Sequence, residues 1–165
     1  MALDSRVVAN KILQSAWDQG LSLTKMQLIK LVYFVHGWSL VLLDSPAVED
    51  MPQAWQRGPV YPKLYRALSN YRSQPVNQLL ADKQTQLPFN GELENDGQGR
   101  LIADITGSYG GIHAFVLSEK THADGTPWDL TFNTLGQYAE IDESLMDAHF
   151  EELREARQID PNHYR

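Results

Sequence analysis

The chain has 165 residues, no cysteine and a formal net charge of −7 at pH 7. This length fits one domain, and the lack of cysteine excludes disulfides, thiolate nucleophiles and zinc sites that depend on cysteine. The acidic balance, without a dense cluster of Lys and Arg, disfavours binding to nucleic acid or to an anionic membrane and suits a basic protein partner. No basic segment followed by an apolar run opens the sequence, so we expect no signal peptide and a cytoplasmic location.

A first helix is predicted over residues 5–19, with Asp4 or Ser5 as its cap. Gly20 is suited to the left-handed residue that ends a helix. One apolar stripe is expected to face the core and consists of Val8, Ile12, Leu13, Ala16 and Trp17.

The second helix is predicted over residues 26–43 and is apolar on nearly all sides. Thr24 and Gln27 have the spacing of a capping box, in which each side chain bonds the backbone amide of the other residue. Lys30 and His36 interrupt the apolar run, which leaves less than the ~20 apolar residues that a bilayer requires. We therefore expect this helix at the centre of a globule, and not as the exposed recognition helix of a DNA-binding helix-turn-helix.

The middle of the chain is rich in glycine and proline and is expected to be less regular. Residues 53–56 favour a short strand, and Gly58 with Pro59 favours a turn after it. Pro62 is suited to the first position of a third helix. Residues 92–105 predict a β-hairpin around a glycine-rich turn.

Two further helices are predicted over residues 110–121 and 142–157. In the first, Ile112, Phe115 and Val116 are expected on the inner side. The second is capped by Asp142, and its inward residues are Leu145, Met146, His149, Phe150 and Leu153. The predicted fold is therefore mainly α with a small β-hairpin, a compact single-domain helical bundle around a buried central helix.

The five histidines do not form a recognisable metal site. His113 and His122 are nine residues apart, which is not the i, i+4 spacing of metal-binding helices. Because cysteine is also absent, we expect neither a metal nor another cofactor.

Ser118 and His122 are four residues apart and could contact each other on one helix face. This spacing leaves a small hydrolase or nucleotide-acting enzyme as an alternative function. A nucleophilic serine also requires an oxyanion hole and a third group that orients the histidine, and no Gly-x-Ser-x-Gly motif surrounds Ser118. The alternative interpretation is a local hydrogen bond that stabilises the end of a helix.

A polar stripe on the apolar second helix is the remaining unusual pattern. Lys30 lies in this stripe with Tyr33 beside it, and such a lysine must reach solvent, pair with a carboxylate or contribute to an interface. Trp55 and Arg57 are residue types that often anchor protein interfaces. Both features could equally serve local packing.

The order of these segments resembles one bacterial and phage family, the Panacea antitoxin domain, also called SocA-like. The similarity covers about residues 5–155. It is carried by the ordered set Leu23-Thr24, Lys30-Leu31, Tyr33, Gly37-Trp38, Trp55, Gly58-Pro59-Val60, Tyr65, Leu117-Ser118, Thr121-His122 and Pro127-Trp128.

The resemblance implies a non-enzymatic antitoxin that neutralises a cognate toxin protein, encoded by an adjacent gene, by direct binding. In the SocA-like branch, it also implies an adaptor that delivers the toxin to a Clp-type protease. A regulator that binds the DNA of its own operon is a further alternative, which the acidic charge disfavours.

The residues of the family motif carry over as candidates for partner contact or for architecture. We expect partner contact from Lys30, Tyr33, Trp55, Arg57, Tyr65, Thr121 and His122. We expect an architectural role for Trp38, Gly58, Pro59, Val60, Ser118, Pro127 and Trp128. Residues 77–106 depart from the family pattern and are expected to form a variable hairpin insert that contributes to partner specificity.

Overall fold

The computed structural model describes residues 2–165 and is mainly α-helical with a small β-hairpin, as predicted. The hairpin pairs β1 (Gln53–Trp55) antiparallel with β2 (Gly58–Val60), and Gln53 lies opposite Val60. The helices are α1 (Ser5–Asp18), α2 (Lys25–Leu42), α3 (Pro62–Ala67), α4 (Asp96–Tyr109), α5 (Ala114–Thr121), α6 (Pro127–Leu135) and α7 (Glu143–Arg157), followed by a 3₁₀ turn (Pro161–His163).

Helix α2 forms the centre of the fold and packs against α1, α4, α5 and α7. The predicted capping box of Thr24 and Gln27 is present. Helix α7 crosses α2 so closely that a Cβ on Gly37 would lie 2.1 Å from Cε2 of Phe150, so this crossing requires glycine. Because α2 is buried on nearly all sides, it is not placed to enter a DNA groove. None of the helices found within residues 2–165 has the length and apolar character needed to cross a membrane.

Helix α1 follows the prediction closely. The Asp4 carboxylate accepts a hydrogen bond from Arg6 N over 2.9 Å and caps the helix. Gly20 has a φ of +73° and ends α1 in the left-handed conformation. The apolar stripe faces the core except at its end, where Trp17 is 39% exposed. The prediction that Trp17 is a core residue was wrong.

The hairpin predicted over residues 92–105 is wrong, because this segment enters helix α4. Asn95 caps the helix by accepting from Gln98 N over 3.1 Å. Leu101, Ile102 and Ile105 are buried, and α4 packs on α1 and α2. Glycines lower helix propensity, but burial of this apolar face outweighs it. The segment is therefore part of the core and not a surface hairpin insert.

The observed hairpin lies earlier in the chain. The predicted strand near residue 53 is confirmed, but Gly58 and Pro59 form strand β2 and not the turn. The turn consists of Gln56 and Arg57. Gly58 has a φ of +119°, a conformation that L residues rarely adopt, so glycine is required directly after this tight turn.

The C-terminal helices show two further differences from the prediction. Helix α5 begins four residues later than expected and buries Leu117, whereas Phe115 is 65% and Val116 is 42% exposed. The expected inner face of α5 was therefore wrong. Helix α6 was not predicted, although it begins at Pro127 and proline is well tolerated at the first helical position. Helix α7 and its Asp142 cap are confirmed.

The long connection between α3 and α4 is anchored by Asn10 of α1, which is 3% exposed. Its Nδ2 donates to Leu80 O and to Phe89 O, both over 2.9 Å. Its Oδ1 accepts from Leu80 N over 2.7 Å. One buried amide thus holds two points of this connection against the core.

Candidate functional site

Side chains from α5 and α6 hold the hairpin by its backbone carbonyls. The Trp128 Nε1 of α6 donates to Trp55 O of β1. The Ser118 hydroxyl of α5 donates to Arg57 O in the turn over 2.6 Å. The bond to Arg57 O satisfies a carbonyl of the turn, and the bond to Trp55 O adds a second contact between the helices and the hairpin backbone. They also fix the direction in which the hairpin leaves the helical core.

A third carbonyl of the hairpin is held from below by Lys30 of α2. Its Nζ donates to Pro59 O over 2.9 Å, and the side chain is 0% exposed. Within residues 2–165 no carboxylate forms an ion pair with this amine, and Pro59 O is its one hydrogen-bond acceptor. Burial lowers the pKa of Lys30 to about 7. The amine is therefore close to the point at which it loses its charge at neutral pH.

Gly58 makes this close approach possible. A Cβ at this position would lie 2.8 Å from Lys30 Nζ and 2.9 Å from Thr121 Oγ1. The Thr121 hydroxyl in turn donates to Ser118 O over 2.8 Å. Lysine, threonine and the glycine backbone therefore occupy one small volume under the hairpin, and any side chain at Gly58 would displace them.

The structure thus brings together motif residues that are far apart in sequence. We call this group the hairpin cluster: Lys30, Trp55, Arg57, Gly58, Pro59, Ser118, Thr121, His122 and Trp128. Two of its members lie beneath the hairpin, since Lys30 is 0% and Thr121 is 3% exposed. Both were predicted to contact a partner, and in this conformation neither side chain is accessible to one.

Trp55 of the cluster contacts two further tyrosines, of which Tyr65 was a predicted contact residue and Tyr138 was not indicated by the sequence. The Trp55 and Tyr65 ring centroids are 4.8 Å apart, and the Trp55 and Tyr138 centroids are 5.5 Å apart with the rings edge to face. Tyr138 is 57% exposed. No sequence pattern points to Tyr138, because it lies in an irregular segment that reaches β1 through the hydrogen bond from its N to Ala54 O.

Arg57 and His122 complete this surface. Arg57 is exposed in the hairpin turn, and His122 is half-buried at the end of α5. The two residues are connected through Ser118, whose Oγ lies 2.6 Å from Arg57 O and 3.3 Å from His122 Nδ1. We call the surface formed by Trp55, Arg57, Tyr65, His122 and Tyr138 the hairpin face.

The other motif residues lie away from the hairpin face. Trp38 is buried against Phe150, with ring centroids 5.3 Å apart. Tyr33 is 2% exposed, and burial raises the pKa of its hydroxyl. Within residues 2–165 the Tyr33 hydroxyl has no hydrogen-bond partner. Val60 and Pro127 are buried in β2 and at the start of α6.

The geometry around Ser118 does not favour nucleophilic catalysis. The hydroxyl donates its proton to Arg57 O, and it therefore has no proton to donate to the imidazole of His122. In the described part of the chain, no carboxylate bonds the second ring nitrogen of His122 to orient it. The same residues also contain no group of three or more His, Asp or Glu side chains arranged to hold a metal ion. The Ser118 hydroxyl therefore stabilises the hairpin by bonding its backbone.

The protein is thus a small, mainly helical domain in which side chains of three helices bond the backbone of a short hairpin. Residues 28–129 match the model of the family described as antitoxin SocA-like, Panacea domain. The chain is 32% identical over 142 residues to the antitoxin SocA of Caulobacter vibrioides (strain NA1000 / CB15N), an alignment that covers 82% of this chain and 73% of that protein. No solved structure matches the chain.

The chain therefore belongs to the SocA-like Panacea family, which confirms the resemblance predicted from its ordered motifs. The matched segment begins in α2, just before Lys30, and ends in α6, just after Trp128. It spans every side chain that bonds a hairpin carbonyl. Family membership supports an antitoxin role and implies a toxin as partner.

Proposed function

We propose that the chain is an antitoxin that neutralises its cognate toxin by direct binding and that the hairpin face is the contact surface. The antitoxin role rests on family membership. The choice of surface rests on one observation: Trp55 and Arg57 stand on a hairpin whose backbone is bonded to three helices, and the side chains of Tyr65 and Tyr138 pack against Trp55.

The chemistry of the hairpin face suits protein binding. Trp, Tyr and Arg are enriched among the residues that contribute most of the free energy of association at protein interfaces. A backbone that is already ordered loses little conformational entropy on binding, so more of the contact energy contributes to affinity. The chain's overall charge of −7 would speed association with a basic toxin.

The motif then divides into two kinds of residue. Lys30, Ser118 and Trp128 hold the hairpin from inside, and the side chains of Trp55 and Arg57 project from it. This division is what we expect if the inner residues maintain the scaffold and the exposed side chains are adapted to a particular toxin. Substitution of an inner residue should reduce stability, whereas substitution of an outer residue should reduce binding.

The test is co-expression of the chain with the product of the adjacent gene, scored by growth and by co-purification. Tyr138→Ala and Arg57→Ala remove exposed parts of the hairpin face, and we expect each to weaken the complex by about tenfold or more. Leu87→Ala is the matched control, because Leu87 is 67% exposed in the α3–α4 connection.

Three outcomes separate the possibilities. A toxic neighbour that co-purifies with the wild type and the control, but not with the hairpin-face variants, supports the proposal. Unchanged binding by both variants would refute the hairpin face as the contact surface. A product of the adjacent gene that is harmless and does not bind would show that this gene does not encode the toxin. Rescue that depends on loss of the toxin in the presence of a Clp-type protease would identify delivery to that protease.

A further inference from the structure

A cavity of about 260 Å³ lies between α2, α5, α6 and α7, next to the hairpin cluster. It shares Thr121 with the cluster, but none of the five residues of the hairpin face lines it. Phe34, Phe150 and Leu153 give it an apolar lining. Its volume exceeds the ~150 Å³ of an engineered cavity that binds benzene, so it can hold a group of the size of an aromatic ring.

Tyr33 provides an unsatisfied polar group in this lining. The side chain is 2% exposed and lines the cavity, and its hydroxyl bonds no other atom of residues 2–165. Nearly all buried hydroxyls in folded proteins have a hydrogen-bond partner, and leaving one unpaired costs free energy. The hydroxyl oxygen has almost no accessible surface, so in this conformation it lies behind the cavity wall.

Two cations stand at the mouth of the cavity. Lys120 and Arg157 both line it, and neither forms an ion pair with a carboxylate in the described chain. Arg157 Nη1 donates to Tyr109 OH over 3.0 Å, which leaves its other donors available. The half-buried His149 and the carboxylate of Asp124 also line the site. Among the lining side chains, Lys120 and Arg157 carry two positive charges and Asp124 carries one negative charge, on a chain that is acidic as a whole.

We propose that this cavity binds a ligand that joins a carboxylate to an apolar body of the size of an aromatic side chain. The apolar body fills the cavity against Phe34 and Phe150, and the carboxylate lies between Lys120 and Arg157. A free aromatic acid and the C-terminal residue of a peptide share this chemistry. The site is separate from the hairpin face and does not depend on the proposed antitoxin function.

Calorimetric titration of the full chain with three probes tests the site and its source of ligand. N-acetyl-phenylalanine represents a peptide C-terminus, 3-phenylpropionate represents a free acid, and N-acetyl-phenylalanine amide lacks the carboxylate. We expect saturable binding of one or both acids and weaker binding of the amide. Binding of the first acid alone identifies a peptide C-terminus, and similar binding of both acids shows that a free acid suffices.

Two variants test the named side chains. Lys120→Met removes an exposed cation at the mouth, and we expect about fivefold weaker binding of the acids with little change for the amide. Tyr33→Phe removes only the hydroxyl, and we expect a higher melting temperature of the free chain, because the unpaired group is gone. Lys83→Met, which removes an exposed lysine outside the cavity, is the control.

The proposal is wrong if none of the probes shows saturable binding. It is also wrong if the amide binds as tightly as the acids, or if Lys120→Met and Lys83→Met bind the acids equally well.

Discussion

The buried amine of Lys30 predicts an unusual dependence of stability on pH. Its Nζ is enclosed under the hairpin and bonds only Pro59 O among the residues that the structure describes. Burial lowers its pKa from 10.5 to about 7. Lys30→Met keeps an unbranched apolar chain of similar length at this position and removes the titrating group, so comparison with the wild type isolates the contribution of the amine.

The sign follows from the number of protons bound in each state. Between pH 7 and pH 10.5 the amine of the unfolded chain is protonated, whereas the amine of the folded chain is mostly neutral. The unfolded state therefore binds more protons, and the free energy of unfolding rises with pH by up to ~1.4 kcal/mol per unit. From pH 7.5 to pH 9.5 the contribution of Lys30 should amount to roughly 2 to 3 kcal/mol.

This interval also avoids the other perturbed groups. Burial lowers the pKa of His36 and His149, so both titrate below it. Burial raises the pKa of Tyr33 and Tyr61, so their effect on stability, a decrease with rising pH, belongs to pH values above about 10.

Urea denaturation of the wild type and of Lys30→Met at pH 7.5 and 9.5 measures the effect. We expect the free energy of unfolding of the wild type to rise between the two pH values by roughly 2 to 3 kcal/mol more than that of the variant. A parallel change in both proteins would refute the reasoning, because it would mean that Lys30 keeps its charge in the folded state. Lys83→Met controls for the loss of one positive charge, and an effect of the same size there would equally contradict an origin in burial.

Two other substitutions test the packing and the anchoring of the core. Gly37→Ala places a methyl group into the ring of Phe150, so we expect the free energy of unfolding, measured by urea denaturation, to fall by at least ~3 kcal/mol. Gly111→Ala is the control, because a Cβ at Gly111 meets nothing within 4 Å, and it should change stability by about 0.5 kcal/mol or less. Asn10→Ala leaves Leu80 N and Phe89 O without a partner, whereas Leu80 O still accepts from Phe89 N. We expect a loss of ~2–4 kcal/mol and faster proteolysis within residues 80–89, and equal proteolysis of both proteins would contradict this anchoring role.

Local signals predicted a large part of the fold. The capping box of Thr24 and Gln27 and the continuous apolar character of α2 identified the central helix. Asp142 identified the start of α7. These predictions succeeded because a cap or an apolar periodicity involves residues within a few positions of one another.

Local signals failed where one pattern is compatible with two structures. The glycine-rich start of α4 suits both a turn and a capped helix, and burial of Leu101, Ile102 and Ile105 against α1 and α2 decides for the helix. Pro127 is equally compatible with a break and with the first position of a helix. In both cases contacts with distant elements select the structure.

The sequence by itself determined the central helix, the mainly α class and, through the order of its motifs, the SocA-like Panacea family. Only the tertiary structure decided what those motifs do. Lys30, Ser118 and Trp128 are separated from the hairpin carbonyls that they bond by 29, 61 and 73 residues. The local spacing of residues along a chain contains no information about hydrogen bonds between residues so far apart in sequence. The structure therefore decides that Lys30 and Thr121 lie beneath the hairpin, while Trp55, Arg57 and Tyr138 remain accessible to a partner.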